Sequence, residues 1–160
     1  MFNSDFVKEN SELCLDNVAI YEFKAKVEEL NPEISKFING ITTSGCEIVG
    51  PLVTANMGVQ EIDSEEFIVM SILLPVKNVS LIPYPYGVVP QFKVSDNLYY
   101  RYEGSPSEIQ DIYRGLVMYA QEKKLDQGVV YNCYDYKDMF GFTSEIKVDI
   151  YMNITGTEGR

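Results

Sequence analysis

The chain has 160 residues, and 46% of them are hydrophobic, which is enough for a folded core and too many for a disordered chain. Its net charge of −11 argues against binding to nucleic acid or to an anionic membrane, and it favours cations and basic proteins as partners. No apolar run approaches the roughly 20 residues of a membrane-spanning helix, and the first residues do not resemble a signal peptide. We therefore expect a cytoplasmic protein.

The residue types that are missing exclude several chemistries. The chain has no histidine, which excludes Ser-His-Asp and Cys-His catalysis and removes the commonest zinc ligand. The three cysteines, Cys14, Cys46 and Cys133, are an odd number without close pairing, so no disulfide framework is expected. We predict no metal, no cofactor and no catalytic residue.

The first half of the chain predicts one helix among strands. Residues 1–15 are mixed polar and are expected to form a flexible arm, followed by a strand from Asn17 to Lys26. Asn31-Pro32 is typical of a helix start, and Gly45 is typical of a left-handed helix end. The predicted apolar face of this helix consists of Ile34, Phe37, Ile38 and Ile41.

Two strands are expected after this helix. Glu47 to Ala55 is predicted as a strand interrupted at Gly50-Pro51, because proline removes a hydrogen-bond donor, and Glu66 to Val76 is predicted as a long apolar strand. Residues 77–91 contain three prolines and predict an extended linker, held against the surface by Tyr84 and Tyr86.

The second half follows the same order. Phe92 to Tyr102 predicts a strand, and Ser105-Pro106-Ser107-Glu108 has the spacing of a capping box before a second helix. The inward face of this helix is predicted to contain Ile109, Ile112, Tyr113, Leu116 and Ala120. A strand from Val129 to Tyr136, a turn at Asp138 to Gly141 and a half-buried strand through Ile146, Val148, Ile150 and Met152 complete the pattern.

The order strand, helix, strand, strand thus occurs twice. We predict an α+β fold with a mainly antiparallel sheet and both helices on one face. Residues 16–154 would form one domain, with repeat one at 16–76, the linker at 77–91, repeat two at 92–154 and a tail at 155–160. Pairs of repeats often bind small molecules along the seam between them.

Two short motifs and the repeated order resemble the gyrase-inhibitor-like superfamily of small-molecule-binding domains. The motifs are Gly50-Pro51 at the start of the strand after the helix and the closing Leu73-Leu74-Pro75-Val76. The chain is most similar to uncharacterised members from Gram-positive bacteria, some of them encoded among type VII secretion genes. The resemblance implies a cleft between two repeats that binds small cationic aromatic molecules against an acidic residue. Relatives that hydrolyse reactive compounds use a tryptophan and a glutamate, and this chain has no tryptophan.

Acidic and aromatic residues on the strands of the second half are the candidate ligand-binding residues. Glu145 and Asp149 are four residues apart and would share a strand face that points either into the cleft or into water. Twelve tyrosines are a high count, and tyrosine offers both a ring face for a cation and a hydroxyl. The tyrosines that we single out are Tyr99, Tyr100, Tyr102 and Tyr131.

Three functions remain open at this point. The first is a non-catalytic binding domain for a small organic ligand, cationic and aromatic. The second is an adaptor or toxin-neutralising accessory protein of a type VII secretion locus, whose acidic surface binds a basic protein. The third is a hydrolase that acts on a reactive small molecule through one carboxylate.

Overall fold

The computed structural model describes residues 1–135, 137 and 145–154. Within these ranges the chain forms two α-helices and seven strands, and the strand pairs are antiparallel. The protein therefore combines α-helices with an antiparallel β-structure, as the sequence predicts. The predicted turn at Asp138 to Gly141 and the predicted tail at 155–160 lie outside the described residues.

The elements follow in this order along the chain: β1 (Lys8–Ala25), α1 (Leu30–Thr43), β2 (Glu47–Ile48), β3 (Leu52–Ile62), β4 (Glu65–Lys77), β5 (Gly87–Gly104), α2 (Ile109–Glu122), β6 (Gln127–Tyr134) and β7 (Ile146–Ile154). Short 3-10 turns precede both α-helices, at Val27–Glu29 and Pro106–Glu108. The residues form two compact units. The first unit is Cys14–Phe92, and the second unit is Met1–Leu13 together with Lys93–Arg160.

In the first unit, β4 is the central strand. It pairs with β1 from Val18↔Pro75 to Ala25↔Ile68, with β3 from Val53↔Leu73 onward, and with the short β2. The separation of β2 from β3 falls at Gly50-Pro51, as predicted. The predicted apolar face of α1 is confirmed, because Ile34, Phe37, Ile38 and Ile41 are all buried.

The two ends of α1 differ in how well the sequence predicted them. Gly45 follows the helix with a φ of 98°, the left-handed conformation that glycine accepts most readily. The start is not at Asn31 but at Leu30, after the 3-10 turn. There the backbone N–H of Lys26 donates to Glu29 Oε1 at 2.9 Å, which closes the 3-10 turn before α1, and the side chain of Glu29 does not cap the amides of α1.

The first strand starts earlier than predicted. β1 begins at Lys8, within the stretch that we expected to be a flexible arm, and Ser4–Phe6 form one 3-10 turn before it. Most side chains in the early part of β1 are exposed, so the apolar alternation that identifies a strand is missing there. Asn97, which is fully buried, donates through its side-chain amide to the carbonyl of Ser11 at 3.0 Å.

The predicted linker contains more structure than expected. A 3-10 turn lies at Val79–Leu81, and β5 begins at Gly87. Tyr86 does anchor the segment, because its ring packs edge-on against Tyr21 at 5.0 Å and Phe37 at 4.9 Å between ring centroids. Tyr84 does not, because it is 97% exposed.

In the second unit, β7 lies between β5 and β6. Its buried residues alternate as predicted, with Val148, Ile150 and Met152 inside. They form one hydrophobic core with three residues of β5 and three of α2, namely Leu98, Tyr100, Tyr102, Ile112, Leu116 and Ala120. This core covers one face of the three strands and leaves the alternate side chains on the other face.

The start of α2 differs in detail from the predicted capping box. Ser105 Oγ accepts from the backbone N–H of Ser107 at 3.3 Å, while the N–H of Glu108 donates to the carbonyl of Ser105 at 3.1 Å. The cap therefore closes the 3-10 turn Pro106–Glu108, and α2 itself begins one residue later at Ile109. A 3-10 turn is tighter than an α-helix, so the serine side chain meets an earlier amide.

Candidate functional site

The candidate site lies on the face of β5, β7 and β6 that points away from the α2 core. Two rows of side chains cross the three strands on this face. Tyr99, Tyr151 and Tyr131 are register partners in one row, and Arg101, Asp149 and Cys133 are register partners in the next. We call these six residues the site face. Because side chains alternate along a strand, the six residues point to the same side.

Asp149 is at the centre of the polar contacts. Its Oδ1 accepts a hydrogen bond from the hydroxyl of Tyr99 at 2.6 Å, and its Oδ2 accepts from Arg101 Nη1 at 3.0 Å. The side chain of Asp149 is 29% exposed. The short distance to Tyr99 is typical of a hydrogen bond to an ionised acceptor.

Two positive side chains lie in this part of the molecule, Arg101 at the carboxylate and Lys8 at the ring of Tyr99. Arg101 also reaches Glu103 Oε1 through Nη2 at 3.4 Å, so its guanidinium bridges two carboxylates. The ammonium of Lys8 lies 5.8 Å from the centroid of the Tyr99 ring, within the range of a cation–π interaction. The local formal charge from Lys8, Arg101, Glu103 and Asp149 is therefore zero.

The tyrosines of the site face form an aromatic surface with phenols that stay protonated. The rings of Tyr99 and Tyr151 pack with centroids 5.0 Å apart and an angle of 47° between their planes. Burial raises the pKa of Tyr99, and its hydrogen bond to Asp149 raises the pKa further. Burial also raises the pKa of Tyr151 and of Tyr131. At neutral pH these hydroxyls are donors and weak nucleophiles.

Cys133 adds a neutral thiol to the site face. The residue is buried, and burial together with the charge of Asp149 raises the pKa of its thiol to about 12. A thiol of this kind is a small apolar group at neutral pH, because the reactive form is the thiolate. Cys133 is therefore a packing residue of the site face.

The structure brings together only some of the predicted ligand-binding residues. Tyr99, Tyr131 and Asp149 share the site face. Tyr100 and Tyr102 do not, because neighbours on a strand alternate and these two rings lie in the α2 core, 3% and 4% exposed. Glu145 precedes β7 and is exposed, and its charge helps to raise the pKa of Tyr102, on the core side.

The sequence-based prediction missed two residues of the site face, Tyr151 and Arg101, and also Lys8, which lies over the ring of Tyr99. Tyr151 is two positions from Asp149, and Arg101 is two positions from Tyr99, so strict alternation would have placed both on the site face. The sequence-based prediction named Tyr100 and Tyr102 instead. Lys8 gave no usable signal, because we did not predict its strand.

No group of His, Cys, Asp and Glu side chains suited to a metal ion occurs among residues 1–135, 137 and 145–154. In the same part of the chain, no helix is both long enough and apolar enough to cross a membrane.

Comparison with known proteins gives a fold likeness without a family. No family model matches the chain, and no curated protein matches its sequence. A solved hydrolase from Listeria innocua matches with a TM-score of 0.58 at 12% identity, covering 93% of this chain and 90% of the other. An uncharacterised conserved protein from Listeria innocua matches with a TM-score of 0.57 at 12% identity and 92% coverage of both chains. Another Listeria innocua hydrolase matches with a TM-score of 0.53 at 13% identity, covering 93% and 90%. At such low identity these likenesses concern the fold alone.

Proposed function

We propose that the chain binds a small aromatic molecule on the site face without catalysing a reaction, as a member of the gyrase-inhibitor-like superfamily built from two strand-helix-strand-strand repeats. The observation that carries the proposal is the row Tyr99, Tyr151 and Tyr131 next to the carboxylate of Asp149. We place this function in the cytoplasm.

The aromatic row supplies the contact area for such a ligand. Flat rings next to each other bind another flat ring through apolar area and offset stacking, which adds about 0.5–1.5 kcal/mol per aromatic pair. The raised pKa values of Tyr99, Tyr151 and Tyr131 keep their hydroxyls protonated at neutral pH, and the hydroxyl of Tyr99 donates to Asp149. The acid next to the rings supports our expectation that the ligand is cationic, because a cation gains from both the carboxylate and the ring faces.

Hydrolysis is a weaker candidate for this site, although two of the structural neighbours are described as hydrolases. A covalent mechanism needs an activated nucleophile, and the raised pKa values of Tyr99 and Cys133 keep the phenol and the thiol protonated. A carboxylate mechanism needs an oxygen directed at the substrate, and in this structure the oxygens of Asp149 accept hydrogen bonds from Tyr99 and Arg101. We therefore propose binding rather than catalysis.

The adaptor function for a type VII secretion locus remains the alternative, and a different surface favours it. The hairpin of β3 and β4 exposes the side chains of Met57, Val59 and Ile62. Glu61 lies directly opposite Glu66 in the same hairpin, and two like charges in this position repel each other unless a cation lies between them. A basic protein segment with apolar side chains would suit this surface. The test is a pull-down from the native host with wild type and with Val59→Ser as baits. The Val59→Ser variant should capture less of the partner than wild type does.

The experiment for the proposed ligand site is a calorimetric titration with tetraphenylphosphonium. Triphenylphosphine oxide, which has similar rings and no charge, is the neutral comparison. We expect saturable binding of the cation and weaker binding of the neutral compound. Tyr151→Ala should weaken binding of both compounds about tenfold, because it removes the central ring of the row.

Tyr84→Ala is the matched control for this titration. It also removes a tyrosine ring, but Tyr84 is almost completely exposed and belongs to the first unit. Its affinity for both compounds should equal that of wild type. If wild type binds neither compound, or if Tyr84→Ala weakens binding as much as Tyr151→Ala does, the site is rejected and the adaptor function becomes the leading candidate.

A further inference from the structure

The positions that an aromatic cation would use on the site face are filled by side chains of the chain itself. Arg101 occupies Oδ2 of Asp149 at 3.0 Å, and Lys8 lies over the ring of Tyr99. Tyr99 occupies the other carboxylate oxygen. A ligand cation therefore meets a carboxylate that is already paired.

We propose that Arg101 sets the charge selectivity of this site, acting as a tethered counter-cation that a ligand must displace from Asp149. The inference rests on the proposed function of the site face. Arg101 is well placed for this role, because its side chain is 45% exposed and can swing into solvent without opening the core. Glu103, at 3.4 Å from Nη2, offers the guanidinium a second carboxylate when it leaves the first.

The energetic consequence is a lowered affinity for cations. With Arg101 in place, the carboxylate gains little from a second cation, and the guanidinium repels it. Once Arg101 moves away, Asp149 attracts the ligand in a partly desolvated setting, where Coulomb interactions exceed those in water. The wild-type site should therefore favour a cation over an anion of the same shape only weakly.

The matched probes for this test are tetraphenylphosphonium and tetraphenylborate, which have nearly the same size and shape and opposite charges. Their affinities are measured by calorimetry for wild type and for Arg101→Gln, and the quantity of interest is the ratio of the two affinities. We expect Arg101→Gln to raise the preference for the cation by a factor of about ten, the change that corresponds to ~1.4 kcal/mol.

Arg114→Gln is the control for total charge. Arg114 is an exposed residue of α2 that pairs with Asp111 at 2.9 Å, so its removal changes the net charge equally without touching the site face. The ratio in Arg114→Gln should match that of wild type within about twofold, because solvent and salt screen distant exposed charges.

A double-mutant cycle with Asp149→Asn separates displacement from simple repulsion. If Arg101 acts by covering Asp149, the effect of Arg101→Gln on cation binding should shrink at least threefold once position 149 is uncharged. Independent point charges would give the same effect in both backgrounds. Addition of the cation to wild type should also shift the NMR signal of the Arg101 Nε–H. This shift should saturate at the same cation concentration as binding does.

The outcomes separate this inference from the proposed function. If the probes bind wild type but the ratio is the same in Arg101→Gln and Arg114→Gln, the role of Arg101 is rejected and the binding site stands. If wild type binds tetraphenylborate alone and Arg101→Gln binds the cation as well, Arg101 is supported as a complete block of cation binding. If neither protein binds either probe, both proposals fail.

Discussion

The two faces of β5 and β7 place the same residue type in opposite environments. Tyr100 and Tyr102 lie in the α2 core. Tyr99, the residue directly before Tyr100, lies on the site face, and its hydroxyl donates a hydrogen bond to Asp149. The hydroxyl of Tyr102 donates to the carbonyl of Ser105, and that of Tyr100 accepts from the N–H of Asn3 at 3.1 Å. On the core face, the tyrosine hydroxyls thus bond to backbone. On the site face, Tyr99 bonds to a charged side chain that a ligand could approach.

The number of tyrosines is therefore a poor guide to the binding site of this protein, because the same residue type serves both faces. The core tyrosines fill space, and the Phe2 ring stacks on Tyr100 with centroids 5.2 Å apart. The site-face tyrosines pack against each other next to two cations and two anions.

Removing a ring from each face should give unequal losses of stability. Tyr100→Ala should cost about 3–5 kcal/mol, because it leaves a cavity in the α2 core and removes the ring under Phe2. Tyr99→Ala should cost about 1 kcal/mol, because its ring is partly exposed. Urea unfolding of both variants measures the difference, and equal losses would contradict the division into two faces.

Alkaline pH should destabilise the fold through the buried thiol of the site face. The pKa of Cys133 rises from 9.0 to about 12 on folding, so the folded state holds this proton more tightly than the unfolded state. Its contribution to stability is complete below pH 9 and is lost as pH rises toward 12, at about 1.4 kcal/mol per pH unit.

Two alanine variants test this source of alkaline instability. Urea unfolding between pH 8 and 11 should show a shallower decline for Cys133→Ala than for wild type. Cys14→Ala is the matched control, because Cys14 is exposed. Its decline should parallel that of wild type. Parallel declines for all three proteins would show that Cys133 does not titrate in this way.

Neutralising the central carboxylate should have a modest effect on stability and a clear effect on Tyr99. Asp149→Asn should cost about 1 kcal/mol or less, because the ion pair with Arg101 is partly exposed. The pKa of Tyr99 should fall while staying above its ordinary value, because burial is the larger cause of its rise. Carbon-13 NMR of the tyrosine ring measures this. An unchanged Tyr99 pKa would mean that its hydroxyl does not bond to Asp149 in solution.

The smallest effect is expected at the start of α2, where the core face ends. Ser105→Ala should cost about 0.5 kcal/mol, at the low end for a helix cap, because the bond to the N–H of Ser107 is 3.3 Å long. Thermal melting measures the loss, and Ser107→Ala serves as a comparison, since its hydroxyl lies 2.8 Å from that of Ser105. A loss above 2 kcal/mol would indicate that the full capping box exists after all.

Elements that bury an apolar face could be predicted from the amino-acid sequence. The α1 residues Ile34, Phe37, Ile38 and Ile41 and the β7 residues Val148, Ile150 and Met152 are buried as their spacing predicts, because period and burial are coupled in helices and strands. The breaks at Gly45 and Gly50-Pro51 were also predictable, because glycine and proline restrict the backbone locally.

Other features depend on contacts between residues far apart in the chain, which the local sequence pattern does not specify. The early part of β1 has no apolar alternation, so its sequence does not identify it as a strand. Contacts with distant residues hold it in place, among them the hydrogen bond from the Asn97 side chain to the carbonyl of Ser11. Pairing register brought Arg101 and Asp149 together across 48 positions of the chain, and no local rule predicts the register of distant strands. The same pairing determined which tyrosines lie next to the carboxylate, because a shift of one residue would turn Tyr100 outward in place of Tyr99.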